Sequence, residues 1–288
     1  MNEKTKATLM LILSMLIFGT IGVFRRAIPL PSGLLACIRG FGGALFLTLF
    51  VKLRGGKIFH GTDRRSLLLT ALTGGLIGFN WILLFEAFNY TTVSVATLCY
   101  YMAPIIVILL SPVFFRERLT GRKLLCTLAA LIGMAFVSGV FEGESVLRGN
   151  MKGVLLALGA GALYASVIIL SKLVRIEDPY EKTVIQLFSA AVILLPYLAL
   201  TGGFAAPALD TRAAVMLTVV CIVHTGIAYA LYFASMKALK GQTVALLSYI
   251  DPVSAMLFSV VLLGEPMSVF GIIGAVLIIG AAILAGDG

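Results

Sequence analysis

The sequence predicts an all-α integral membrane protein of ten transmembrane helices, arranged as two inverted five-helix repeats. Three observations carry that reading. Of the 288 residues 60% are hydrophobic and 12% charged, and the mean hydropathy of +1.07 lies well outside the range of a soluble globular domain. Apolar windows of about 20 residues, the length that crosses a bilayer, recur along the whole chain. Two long stretches of the chain also match each other at an offset of 148 residues.

The first window covers residues 7–24, behind the basic tip of Lys4 and Lys6. A basic tip and an apolar run also fit a secretory leader, but no A-x-A-like cleavage site follows, so the segment is read as a span. The second, 33–51, carries Arg39 inside it; the third, 67–88, begins after Arg64 and Arg65; the fourth, 92–114, contains Pro104. The fifth, 122–140, ends in the Gly-rich "LIGMAFVSG". The sixth, 153–171, repeats a small residue every four positions, at Gly153, Ala157, Gly161 and Ala165, a stripe that lets another helix approach closely. The seventh, 183–200, is followed by 213–234 with His224, 241–263 with Asp251 and Pro252, and 268–285, which has no charged residue. No room remains for a soluble domain.

A net charge of +9 would suggest nucleic acid in a soluble protein, but these Lys and Arg residues sit in short loops between apolar spans. With the N-terminus inside, sixteen of the 22 basic residues face the cytoplasm: Lys4, Lys6, Lys52, Arg54, Lys57, Arg64, Arg65, Arg116, Arg118, Arg122, Lys123, Lys172, Arg175, Lys182, Lys237 and Lys240. Only Arg25, Arg26, Arg148, Lys152 and Arg212 face out, which places both termini in the cytoplasm and the chain in the cell membrane. The four cysteines all lie inside spans and read as small packing residues, with no disulfide framework implied.

The stretch Gly78 to Glu117 lies on Gly226 to Glu265 without a gap, with Phe85 on Phe233, Leu98 on Leu246, Tyr101 on Tyr249, Pro104 on Pro252 and Ser111 on Ser259. Each copy, 1–145 and 146–288, holds five spans. Five is odd, so the second copy enters the membrane from the opposite side. The loops agree: "FFRERLTGRK" carries four basic residues on the inner side, and its partner "LLGEPMSVFG" carries none outside. Inverted repeats put a symmetry axis in the membrane plane, and in secondary transporters the substrate site lies near that axis. A duplication that only stabilises a bundle is the plainer alternative.

These residues resemble the drug/metabolite transporter superfamily, specifically its ten-helix EamA-type branch. The likeness rests on Arg39 in "LLACIRGFGGALFL", on "YYMAPIIVILLSPVFFRERLTGRK" and "SYIDPVSAMLFSVVLLGEPMS", and on the Gly-rich ends "LIGMAFVSG" and "IIGAVLIIGAAILAG". The resemblance implies that spans 1, 3, 4, 6, 8 and 9 surround a central cavity while 5 and 10 lie at the periphery. It also implies that amino acids, other metabolites or small drugs are moved. Glu86 and Asp251 depart from its pattern.

Asp251 lies about ten residues into its span, and at about 1.5 Å per residue it sits about 15 Å deep, near the bilayer midplane. A carboxylate at that depth lines a wet cavity, is paired, or is protonated. Pro252 and Pro104 lack an amide hydrogen and are expected to free the carbonyls of Ser248 and Tyr100. Either they open polar cavity walls, with Tyr100, Tyr101, Ser248 and Tyr249 nearby, or they kink their helices for packing alone. His224 shares the midplane with Asp251, and a proton relay stands against a histidine satisfied by a neighbouring carbonyl. Arg39 and Glu86 lie near the outer face on adjacent spans. They form an ion pair, or they hold a substrate carboxylate and ammonium. Asn80, Trp81, Tyr164 and Tyr229 reach similar depth, where aromatics stack on an apolar or cationic substrate or simply fill space. Glu117 and Glu265 are expected to cap helix ends.

No phosphate loop, H-E-x-x-H or G-x-S-x-G motif occurs. The expectation is therefore a secondary transporter, not an enzyme. It would export a small amino acid-like or amphipathic metabolite by alternating access, with exchange for protons through Asp251 as one option and no cofactor. A membrane-embedded enzyme or lipid-handling protein using His224 and Asp251 as acid and base is the alternative, and a scaffolding subunit a third. Besides substrate, protons and lipid, no partner is implied, and a monomer is favoured over a dimer.

Overall fold

A computed structural model describes residues 2–55, 63–91, 93–137, 151–174, 176, 178–264 and 268–286. Among these the chain is helical throughout, with no strand. The helices are α1 (Glu3–Arg26), α2 (Ser32–Leu53), α3 (Arg64–Ala87), α4 (Val93–Tyr100), α5 (Ala103–Phe115), α6 (Gly121–Val137), α7 (Met151–Leu173) and α8 (Pro179–Thr201). They continue with α9 (Thr211–Val219), a π-helical segment (Val220–Ile227), α10 (Ala228–Ser235), α11 (Gly241–Leu247), α12 (Ile250–Leu263) and α13 (Val269–Gly286). Eight helical stretches are long and apolar enough to cross a membrane, joined by the shorter apolar stretch Val269–Leu284. Three windows expected as continuous helices are interrupted. The one near 92–114 is α4 and α5, the one near 241–263 is α11 and α12, and the one near 213–234 passes through the π-helical turn.

Local chemistry sets the ends. Asp63, Asp178 and Asp210 stand just before α3, α8 and α9, and their carboxylates accept the amides of Ser66 at 3.1 Å, Tyr180 at 2.8 Å and Ala213 at 2.7 Å. Gly202 ends α8 with φ of 66°, a left-handed turn open to glycine. Arg116 adopts the same left-handed conformation without being glycine, with φ of 56° at the end of α5.

Close approaches bring the helices together. α1 lies against α10 and α12, α3 against α7 and α8, α2 against α8 and the π-helical segment, and α7 against α4 and α5. α6 and α13 form their own pair. Their crossing has glycine on both sides: a Cβ added to Gly133 would come within 2.7 Å of the Gly274 carbonyl oxygen. The expected stripe on α7 behaves likewise. Ala157 and Ala165 are fully buried, and a Cβ on Gly161 would sit 2.8 Å from the Tyr100 carbonyl oxygen at the end of α4. Buried hydroxyls stitch α1 to its neighbours, with Ser14 donating to the Ala228 carbonyl at 2.9 Å and Ser254 to the Met15 carbonyl at 3.2 Å.

Candidate functional site

Two helix interruptions face one another inside the bundle, where α5 and α11 meet. Each precedes a proline. Pro104 and Pro252 fall in the first turn of α5 and α12, where a missing amide hydrogen leaves no bond unmade. Within the breaks the chain tightens, the Met102 amide reaching the Cys99 carbonyl and the Tyr249 amide the Leu246 carbonyl, both at 3.2 Å. The expected free carbonyl at Ser248 is corrected here: the Asp251 amide takes it at 3.2 Å. The Ser248 hydroxyl turns back to Val244 at 2.8 Å.

Asp251 lies in the first turn of α12 and is bound across the breaks. The Tyr101 hydroxyl donates to Asp251 Oδ2 at 2.8 Å, and the Tyr249 hydroxyl donates to the Tyr101 carbonyl at 2.9 Å. Tyr101 and Tyr249 occupy equivalent positions of the duplicated stretch. Six of the nine tyrosines gather here. The rings of Tyr100 and Tyr164 stack 5.4 Å apart at 8°, Tyr100 meets Tyr101 edge-on at 5.5 Å, and Tyr101 lies 6.1 Å from Tyr249. The Tyr164 and Tyr232 hydroxyls are 3.0 Å apart, and Phe18 of α1 touches Tyr229 at 5.0 Å and Tyr232 at 6.3 Å. Asp251, Tyr100, Tyr164 and Tyr229 are half-buried, while Tyr101, Tyr232 and Tyr249 are buried.

Arg39 approaches from α2. Its Nε donates to Thr225 Oγ1 at 3.2 Å, and its guanidinium lies 5.1 Å over the Trp81 ring. Trp81 meets Tyr229 edge-on at 6.5 Å, so Arg39 abuts the same aromatic cluster that surrounds Asp251. Glu86 does not pair with Arg39: its Oε1 accepts the Tyr197 hydroxyl at 2.6 Å and its Oε2 the Asn89 amide at 3.4 Å. Asn80 is a strut, donating to the Ala160 carbonyl of α7 at 2.5 Å.

His224 is buried in the π-helical segment with its Nε2 2.8 Å from Thr20 Oγ1. The Thr20 hydroxyl also lies 2.7 Å from the Ile17 carbonyl, the Val219 backbone is a second neighbour of the imidazole, and the tautomer sets whether Thr20 or His224 donates. His224 and Asp251 thus take separate partners, Thr20 and Tyr101, and the structure does not join them into a relay. Among the described residues no group of three or more His, Cys, Asp or Glu could hold a metal ion.

Several site residues were missed from sequence. Tyr232 had a signal, because it follows Tyr229 by three residues and shares its helical face. Phe18, Thr20, Thr225 and Tyr197 had none, being ordinary residues until the helices meet. Of the two expected caps, Glu117 holds the start of α11, accepting the Gly241 and Gln242 amides at 2.6 and 3.1 Å; Glu265 lies outside the described residues.

Similar proteins fit this architecture. The EamA-like transporter family matches residues 5–139 and again residues 151–286. A Bacillus subtilis (strain 168) protein described as the uncharacterized transporter YxxF is 30% identical over 277 residues, covering 96% of this chain and 88% of its own. An uncharacterized transporter of Archaeoglobus fulgidus is 28% identical over 281 residues, covering 96% of this chain and 94% of its own. A crystal structure with a TM-score of 0.84 and 21% identity covers 98% of this chain and 96% of that chain, and shares the fold. The chain belongs to the EamA-like transporter family and is a multi-span helical membrane transporter.

Proposed function

We propose that the protein is a secondary transporter of the cell membrane, exporting a small amino acid-like or amphipathic metabolite by alternating access in exchange for protons. In this reading ten spans form two inverted repeats, 1–145 and 146–288, with both termini in the cytoplasm. The helix neighbours support it. α1 meets α10 and α12 as α7 meets α3 and the α4–α5 pair, α2 meets the π-helical segment as α8 meets α3, and α6 meets α13. Exchanging the two halves of the chain turns each contact into another of the set.

The observation that carries the proposal is Asp251, half-buried and held by Tyr101 between two proline-marked helix breaks among half-buried tyrosines. A carboxylate that receives either a proton or a substrate ammonium makes their occupancy mutually exclusive, and exclusion is what exchange requires. The guanidinium of Arg39 has terminal nitrogens with no hydrogen bond to a described residue. It suits a substrate carboxylate, with Trp81 beneath it and Tyr229 beside that ring. Glu86, engaged by Tyr197, is withdrawn from the ammonium role. An acid–base enzyme loses its support, since His224 and Asp251 take separate partners.

The test is uptake into proteoliposomes under an imposed pH gradient, across amino acids and amphipathic amines. Wild type should accumulate substrate only with the gradient, and Asp251→Asn should lose the pH dependence. Unchanged, pH-dependent transport by Asp251→Asn would refute the exchange role.

A further inference from the structure

At one end of the bundle Arg116, Arg118, Arg122, Lys123 and Lys240 line a pocket of about 350 Å³. Its lining holds one carboxylate, Glu117, and both oxygens of that group are committed to the Gly241 and Gln242 amides. Lys123, on the first turn of α6, is only 8% exposed, yet its ammonium has no hydrogen bond or ion pair to a described residue. The charges acting on it are Lys240, Glu117 and Lys4. The stem of Lys123 is covered, and with Lys240 and Lys4 acting on it alongside Glu117 its ammonium is favoured by an anion that joins the cluster.

Beside this pocket runs an apolar groove of about 440 Å³ between α1, α11–α12 and α13. Ile12, Leu246, Ile250, Ile279 and Ile283 wall it, and Lys4 stands at its mouth. Both spaces lie against the same end of α13, with Ile283 lining the groove and Leu284 the pocket. Lys4 likewise borders the groove while acting on Lys123. A cationic hollow and an apolar channel at the same end of α13 match a molecule with an anionic head and a hydrocarbon tail.

We infer that this end of the protein binds an anionic phospholipid, its phosphate among Lys123, Lys240 and Arg122 and one acyl chain in the groove. The assignment to the cytoplasmic leaflet rests on the orientation proposed above; the binding itself does not.

The purified full chain in uncharged detergent is titrated with dioleoyl phosphatidylglycerol, dioleoyl phosphatidylcholine and inorganic phosphate, and its melting temperature is followed. Phosphatidylglycerol should raise the melting temperature saturably, while the other two leave it in place. Lys123→Gln should raise the phosphatidylglycerol midpoint about fivefold, the share of one lysine at a lipid headgroup. Ile283→Trp, at a position 66% exposed and so harmless to folding, should raise it by narrowing the groove. An equal response to phosphatidylcholine, a full response to inorganic phosphate, or wild-type midpoints in the variants would overturn the inference. If Lys123→Gln does not fold, Ile283→Trp and Arg122→Gln decide. No transport is measured, so a failure here is distinct from a failure of the transport reading.

Discussion

Replacing Tyr101 by Phe removes one oxygen and isolates the bond that holds Asp251. The hydroxyl donates to the carboxylate at 2.8 Å from a side chain that is 8% exposed, so little water is at hand to replace it. Hydrogen bonds to charged groups contribute about 1.5–3 kcal/mol. At about 1.4 kcal/mol per factor of ten, the change corresponds to roughly a 10- to 150-fold shift in any equilibrium that makes or breaks the bond. A double-mutant cycle of Tyr101→Phe with Asp251→Ala, read by reversible unfolding in mixed micelles, isolates that quantity. The expected coupling exceeds about 1 kcal/mol, and Tyr101→Phe should also alter the pH profile of transport. Additivity of the two substitutions within about 0.5 kcal/mol would refute the reasoning, because groups that do not interact add to within that margin.

Three further outcomes are expected. Gly161→Ala should cost about 1–3 kcal/mol, since its Cβ would press at 2.8 Å on a backbone oxygen that cannot rotate away. Gly159→Ala, whose Cβ would meet Leu83 at 3.4 Å, should be near neutral in the same unfolding assay. Thr20→Val should cost about 1–3 kcal/mol by leaving the buried His224 Nε2 without its hydrogen-bond partner, and Thr20→Ser should restore it. Asp63, at the exposed start of α3, is held below its ordinary carboxylate value by hydrogen bonds from the Ser66 side chain and then the Ser66 amide. A carboxylate with a lowered folded value stabilises the fold above its unfolded value, near 3.8, and that contribution is lost as pH falls through the folded value. The melting-temperature gap between wild type and Asp63→Ala should be full at pH 7 and should narrow only below about pH 4.

The apolar windows and the small-residue stripe are legible because each is a property of one helix, fixed by spacing and composition; the breaks before Pro104 and Pro252 are not. Rise per residue is constant, and Asp251, His224, Tyr164 and Tyr229 are singled out on that basis alone. Direction around the helix is not legible. Arg39 and Glu86 have suitable depths, but Glu86 points to Tyr197 of α8 and Arg39 to Thr225, and no spacing within α2 or α3 carries that information. The π-helical turn compounds the problem at His224. Thr225 donates to the carbonyl of Val220, five residues back, at 2.9 Å, and that wider turn rotates the ring away from where a regular helix would aim it. The Ser248 carbonyl was misjudged for a related reason. The rule that proline frees the carbonyl four residues back assumes an unbroken helix, and here the chain breaks first.

The chain contains a single tryptophan, and it lies beneath the Arg39 guanidinium and beside Tyr229. Indole emission shifts in colour and intensity with nearby charge and polarity. With no second indole to dilute it, the tryptophan emission of the whole protein comes from this one place. Arrival of a solute carboxylate at Arg39 would be visible in the unlabelled chain, in real time, before any solute has crossed the bilayer.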